Sequence, residues 1–325
     1  MKKSSDLTPL RMCPCYKETL WGGDRLKREY GKTDAPDLTA ESWELAAHPA
    51  GMSRVADGPL AGKTVAELGS QDRKAFWGDN CRGEEFPILV KLIDAKKDLS
   101  VQVHPSDLNA LTDQGERGKT EMWYIVDCAP QAFLYFGFSE QITKDEMLRR
   151  AEDGSICEVL NRVPVEKGDV FSILPGTVHA IGAGVLIAEI QQNSDTTFRV
   201  YDYRRRGADG NFRTLHLRRA SEVMEYAPLV PEECRANSTA TFPAFTMTEM
   251  FSCRYFKAHK LDVRTEASLR CDGQSFQHLL CVEGSGEIVA DNTGYPFRRG
   301  DSYFLPAALG DYLIRGQCRV LISRV

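Results

Sequence analysis

No stretch of the 325-residue chain approaches the about 18 consecutive apolar residues of a membrane-spanning helix. The N-terminal MKKSSDLTPLRM carries two lysines with no apolar run behind them, so a secretory leader is not expected either. A positive excess is also missing. Lys and Arg number 41 against 46 Asp and Glu, giving a net charge of −5 and a pI near 5.8. Such a chain has no general field to draw phosphate backbones, and nucleic acid is excluded as the expected partner. The ten cysteines lack a repeated pair at zinc-knuckle spacing, since the one close pair is the C-x-C of Cys13 and Cys15. Reduced, partly buried thiols and a cytoplasmic location are therefore expected, with no membrane contact. Strict alternation of strands and helices is absent as well, which argues against a parallel sheet.

What remains is the composition of an ordinary globular protein, 42% hydrophobic and 27% charged. At this length the chain is one large or two ordinary domains, because single cores stop growing near about 250–300 residues. Short punctuated apolar runs dominate: ILVKLIDA, LSVQVHP, EMWYIVD, QAFLYFGF, DVFSIL, VLIAEIQ and TTFRVYDY. Helices are expected at 64–77, 143–151 and 214–226, the first two opening on Thr64-x-x-Glu67 and Thr143-x-x-Glu146 as capping boxes. One internal echo organises the rest: KGDVFSILP at 167–175 returns as RGDSYFLP at 299–306, with EMWYIVD and HLLCVEG lying ahead of the two Gly-Asp turns. The fold expected is mainly β, two jelly-roll barrels decorated by a few helices. The expected boundaries are a catalytic unit over 1–226, a proline-rich linker over 227–249 and a second barrel over 250–325.

Candidate chemistry gathers in the first unit. Alternation in Leu99–Pro105 puts Ser100, Gln102 and His104 on the face opposite Val101 and Val103. Glu121 opens the next strand on the face of Trp123 and Ile125, and a Gly-Asp turn leads through Pro175-Gly176 to His179. Two imidazoles, a carboxylate and an amide oxygen make a mixed ligand set for one divalent metal, zinc before manganese, iron, cobalt or nickel. His48, His216, His259 and His278 lack such company. Lys91 is an unusual charge within the apolar run ILVKLIDA, either reaching a pocket or snorkelling to the surface. Glu189, in VLIAEIQ, is a candidate base with an ion pair to Arg199 as its alternative role. The triplet Arg204–Arg206 reads as a solvated turn, with phosphate recognition as its alternative role, and the second barrel lacks a Q-x-H strand.

LSVQVHPSD, GKTEMWYIVD, LPGTVHAIGAG and IAEIQQNSDTTFRVYDYRR together resemble the type I mannose-6-phosphate isomerases of the cupin superfamily, in particular the shorter bacterial form. WGGDRL near residue 21 and ESWELAAHP at 41–49 extend the resemblance, which runs to about residue 219 and weakens in the C-terminal barrel. It implies zinc on Gln102, His104, Glu121 and His179. It also implies a catalytic Arg199, in the pattern Ser194-Asp195-x-x-x-Arg199, and a pocket lysine at Lys119. Alternation places Thr197, Arg199, Tyr201 and Tyr203 on one face. The activity implied is interconversion of mannose 6-phosphate and fructose 6-phosphate through an enediolate. Lys119 from the resemblance, and Lys91 and Glu189 from the residues themselves, are the candidate substrate-binding residues. Another cupin metalloenzyme, such as a dioxygenase or a different sugar-phosphate isomerase or epimerase, and a non-enzymatic sugar-binding module are the competing readings.

Overall fold

The computed structural model describes residues 7–110, 117–207, 210–231 and 238–325. Its first half holds two antiparallel sheets packed face to face. A six-stranded sheet runs Val170–Ile173, Glu121–Cys128, Val185–Gln192, Ile88–Ala95, Glu41–Leu45, Cys15–Lys17. A five-stranded sheet runs Leu160–Pro164, Phe133–Phe138, His179–Ile181, Val101–Val103, Phe198–Tyr201. Trp123, Ile125 and Ile187 of the larger sheet share one core with Leu134, Phe136 and Ile181 of the smaller. Phe136 meets Phe171 edge-on at 5.6 Å, a favourable aromatic geometry.

Ile88–Ala95 and Val185–Gln192 are buried at every position. Their mostly apolar sequences, interrupted by Lys91, Asp94, Glu189, Gln191 and Gln192, follow from having both faces covered. One face looks into the core just described. The other, with Val90, Leu92, Tyr124 and Ile190, joins Leu280, Phe304 and Leu321 of the C-terminal half in a single larger core.

That C-terminal half repeats the same strand order. Lys257–Val263, Glu266–Cys271, Ser302–Leu305 and the long strands Gln277–Ala290 and Gly310–Arg324 reproduce the pairings of Ile88–Ala95, Val101–Val103, Val170–Ile173 and their neighbours. The echoed Gly-Asp turns match bond for bond. Gly168 N donates to Ile125 O and Gly300 N to Cys281 O, both at 2.8 Å, while Ile125 N and Cys281 N return bonds of 2.9 Å to Asp169 O and Asp301 O. Each aspartate also caps its own turn, Oδ2 accepting from Glu166 N at 3.0 Å and from Arg298 N at 2.9 Å. This register sets Gln277 opposite Leu305 as Glu121 is set opposite Ile173. The repeat read from nine residues thus organises the whole fold.

The connections differ more from expectation. Val65–Phe76 has both halves of its capping box, but Thr143 caps Lys144–Asp153 alone because Glu146 pairs with Arg150 instead. The third helix shortens to Leu217–Val223. Within 227–249, residues 232–237 lie outside the described residues, while Ser238–Thr241 is a strand and Phe245–Ser252 begins another. Leu10–Cys13 crosses to the far half and pairs with Ser302–Leu305. Buried Lys32 reinforces that crossing, donating to Glu44 Oε2 at 2.7 Å and Gly300 O at 2.6 Å.

The two turn glycines separate conformation from crowding. Both have positive φ, +100° at Gly168 and +93° at Gly300, yet a Cβ at Gly168 meets open space and one at Gly300 would stand 1.9 Å from Tyr30 O. Gly168→Ala should cost about 1–2 kcal/mol, the penalty of the left-handed region alone. Gly300→Ala should cost clearly more; equal urea midpoints for the two variants would refute the close approach.

Buried His278 lies beside this seam, its Nε2 2.8 Å from Ser302 Oγ. Burial and then the nearby Lys32 charge push its pKa down to about 3. The unfolded imidazole takes its proton near pH 6.5, so the native state is favoured above that pH and loses ground as pH falls towards 3. Between pH 7 and 5 this one residue should remove about 2 kcal/mol of stability. The pH 7-to-5 difference in urea stability should shrink by that amount in His278→Gln, and an unchanged difference would contradict the assignment.

Candidate active site

The two sheets bring four polar side chains to one point because each comes from a central strand or from the turn beside one. His179 and Gln102 are direct cross-strand partners, and Arg199 pairs with Gln102 from the other side. Glu121 opens its strand against Gln191, and His104 follows Val101–Val103. His104, Glu121 and His179 are almost wholly buried, and among the described residues they form the one cluster of three His, Cys, Asp or Glu side chains with ligand atoms within 4.8 Å of one another.

The orientation of the rings is fixed from behind. His104 Nδ1 lies 2.8 Å from Thr196 O and His179 Nδ1 lies 2.9 Å from Thr177 O. A backbone carbonyl can only accept, so each Nδ1 carries the proton and each Nε2 presents a lone pair. Both lone pairs face Glu121 Oε1, at 3.6 Å from His104 and 3.4 Å from His179. Oε1 itself is buried and accepts no hydrogen bond. Gln102 closes the group, its amide nitrogen 3.4 Å from His179 Nε2. A half-turn of that amide exchanges nitrogen for oxygen, which adds one neutral oxygen donor beside the carboxylate.

Lys119 Nζ, 3.4 Å from His104 Nε2, meets one of these acceptors, but Glu121 Oε1 and His179 Nε2 still face each other in a buried space and repel unless a cation lies between them. The donor set therefore fits a divalent ion held by Nε2 of His104, Nε2 of His179, Glu121 Oε1 and the Gln102 amide oxygen. The electrostatics agree. Burial lowers the pKa of His104, with Lys119 adding to it, and lowers that of His179 to about 3, with His104 adding to it. Burial raises the proton affinity of Glu121, but its charged and polar neighbours, Lys119 foremost, outweigh it and hold its pKa well below the carboxylate range. The ligands are thus neutral imidazoles and a carboxylate at neutral pH, the forms that bind metal.

The cluster borders a cavity of about 290 Å³ that also takes in Lys91, Lys119, Glu189, Asp195, Thr197 and Arg199. Lys119 Nζ stands 2.9 Å from Glu121 Oε2 and 3.9 Å from Glu189 Oε1. Lys91 is buried rather than snorkelling, between Glu189 Oε1 at 3.2 Å and Glu41 Oε2 at 3.3 Å. The Glu189–Arg199 ion pair left open by the sequence does not form. Glu189 takes the two lysines and the Trp123 indole at 2.9 Å, while Arg199 donates Nη1 to Thr214 O at 2.8 Å and keeps a buried Nε without a partner. Burial raises the proton affinity of Glu189, and the Glu121 charge raises it further.

The expected face of Thr197, Arg199, Tyr201 and Tyr203 breaks at a bulge between Arg199 and Tyr201. Thr197 and Arg199 stay in the cavity and Tyr201 turns to a neighbouring one, because the extra residue reverses the alternation. The arginine triplet is less solvated than a free turn: Arg206 donates locally to Gly210 O, but Arg204 donates to Asp153 O, and half-buried Arg205 bonds both Asp202 and Asp98 O.

Thr19, Trp21, Glu41 and Arg213 also line the wall and were not named as site residues from the sequence, although Trp21 and Glu41 open the motifs WGGDRL and ESWELAAHP. Glu41 had a readable signal, since a lysine inside an apolar strand demands a buried counter-charge. Arg213 had none. It is aimed by a fork onto Asp202, at 2.6 and 2.7 Å, that only the fold creates.

Residues 10–123 match the model of the phosphomannose isomerase type I catalytic domain, and residues 246–325 that of the mannose-6-phosphate isomerase cupin domain. The chain is 40% identical to mannose-6-phosphate isomerase ManA of Bacillus subtilis over 98% of its own length and 99% of that protein. It is 33% identical to the mannose-6-phosphate isomerase of Streptococcus mutans, covering 97% of this chain and 98% of the other. The crystal structure of the mannose 6-phosphate isomerase from Bacillus subtilis superposes with a TM-score of 0.92 at 36% identity, covering 98% of this chain and all of that one (100%). A likeness to a protein structure from Archaeoglobus fulgidus, TM-score 0.76 at 22% identity over 98% of each chain, extends the fold alone. With relatives at this identity covered over almost their whole length, and with the cupin fold shared, the chain belongs to the type I phosphomannose isomerase family.

Proposed function

We propose that the chain interconverts mannose 6-phosphate and fructose 6-phosphate, using one divalent metal, zinc first among the choices, on Gln102, His104, Glu121 and His179. The observation that carries this reading is the buried, bond-free Glu121 Oε1 facing two imidazole lone pairs at the wall of a cavity lined by lysines and an arginine. Aldose–ketose isomerisation removes a proton beside a carbonyl and returns it to the neighbouring carbon, so its costly species is an oxyanion. A metal at these ligands supplies Lewis-acid polarisation of the substrate oxygens.

The remaining work falls to side chains. Arg199, cationic at any working pH and holding a buried Nε–H in reserve, presents a donor where oxyanion charge develops. Lys119 holds Glu121 in its ionised form and reaches the same cavity. Glu189 Oε1 accepts no hydrogen bond, lines the cavity and has raised proton affinity, which suits it to take and return the migrating proton. Lys91, fixed between Glu41 and Glu189, sets the direction of that carboxylate and adds positive charge for an anionic sugar. A dioxygenase reading gains nothing from this constellation, because apolar oxygenase substrates have no use for four cationic side chains, Lys91, Lys119, Arg199 and Arg213, around one cavity.

Every cysteine among the described residues is a free thiol, which suits a reducing compartment, and we place the protein in the cytoplasm. No described helix is long and apolar enough to cross a membrane. We assign catalysis to residues 1–226 and packing to the barrel over 250–325, joined through 227–249.

The test is a direct assay of fructose 6-phosphate formed from mannose 6-phosphate. Activity should vanish after chelation and return with added zinc. Arg199→Ala should keep its metal and lose on the order of 100–1000-fold in kcat, with Arg199→Lys recovering little because a point charge does not replace a planar fork. A chelated enzyme of undiminished rate would overturn the reading, and a parent-like Arg199→Ala would remove Arg199 from it.

A further inference from the structure

The cavity belongs to the first repeat, yet the second repeat reaches its frame at the turn between Phe245–Ser252 and Lys257–Val263. There Tyr255 Oη donates to Asp107 Oδ2 at 2.5 Å, and Arg254 Nη2 lies 3.4 Å from the same oxygen. The other oxygen, Oδ1, accepts from Gly118 N and from Gln192 Nε2, both at 3.0 Å. Gln192 passes the constraint on, its Oε1 accepting from Thr120 N at 2.9 Å and its own N donating to Thr120 O at 3.1 Å. Lys119 N donates to Pro105 O at 3.0 Å, tying the same stretch to the segment that follows His104. Space is as restricted as bonding, since a Cβ on Gly118 would stand 2.3 Å from Asp107 N.

The residues so fixed are the three immediately before Glu121, with Lys119 among them. A shift in their backbone moves Lys119 Nζ away from Glu121 Oε2 and alters the carboxylate that faces both imidazoles. We propose that Tyr255 is a positioning residue for the isomerase reaction, acting through Asp107 and Gln192 to hold Gly118–Thr120 and thereby aim Lys119 and Glu121. The second repeat then contributes the Tyr255 hydroxyl, with Arg254 beside it, to the geometry of a site that it does not line.

Tyr255→Phe removes that hydroxyl and leaves the ring. With metal saturating, kcat should fall about tenfold while KM moves less than about threefold, the lower end of what outer-shell partners of metal ligands are worth. In the same protein, amide hydrogen exchange at Gly118 and Thr120 should quicken, with the strands elsewhere at parent rates. This inference rests on the isomerase reading, but the exchange measurement does not. An inactive parent would sink the activity and leave the positioning testable by exchange alone. Parent-like exchange at Gly118 and Thr120 would overturn the proposal whatever the rate, as would a parent-like kcat, or faster exchange spread evenly over the chain. Should Tyr255→Phe fail to fold, Asp107→Asn reads the same two quantities at the next link and is judged by the same outcomes.

Discussion

A buried carboxylate oxygen that accepts no hydrogen bond is the constraint on which the rest of this structure depends. Glu121 Oε1 is shielded from water and faces two imidazole lone pairs, an arrangement that costs several kcal/mol if nothing positive stands among them. Every nearby feature answers to it. Backbone carbonyls fix the tautomers of His104 and His179, Lys119 neutralises the far carboxylate oxygen, and Glu189 and Glu41 in turn keep Lys91 and Lys119 from being stranded cations. Three carboxylates and two lysines so interlocked are held for geometry rather than stability, since apolar replacements of similar volume often match such pairs energetically.

The two halves show what happens when the same backbone is freed from that constraint. Gln277 occupies the register of Glu121, but its amide is spent internally: Nε2 donates to Arg270 O at 2.7 Å and Oε1 accepts from Tyr312 Oη at 2.6 Å. Gly310 stands as many residues beyond Pro306 as His179 does beyond Pro175 and has no side chain to offer. The turns, caps and pairings are kept because they depend on local backbone chemistry. The polar face is lost because nothing but a ligand requires it. Core packing then joins the halves, with the six-stranded sheet covered on its far side by residues such as Leu280 and Phe304.

Much of this was legible in the sequence where local rules dominate. Ile88–Ala95 appears with the bounds of its apolar run, and Thr64 and Glu67 form the expected reciprocal cap. Of the expected site residues, all but His104, Glu121 and His179 are in the cavity wall, and those three form the adjoining cluster. The failures have a common cause, which is that periodicity does not see partners. Glu189 faces lysines rather than Arg199, Glu146 prefers Arg150 to its own cap, and a bulge after Arg199 diverts Tyr201. Leu10–Cys13 pairs with a strand almost three hundred positions away, a contact that no local pattern encodes. Arg213 enters the wall only through its fork on Asp202, and Tyr255 reaches Asp107 only because the two repeats pack.

Crystals grown with zinc and measured at its absorption edge test the central claim most directly. The account predicts one strong anomalous peak per chain, bonded to Nε2 of His104, Nε2 of His179 and Glu121 Oε1 and lying next to Gln102, at about 2.0–2.2 Å from the nitrogen and oxygen ligands. A peak elsewhere with this cluster empty, or none at all in protein that isomerises the sugar, would contradict it.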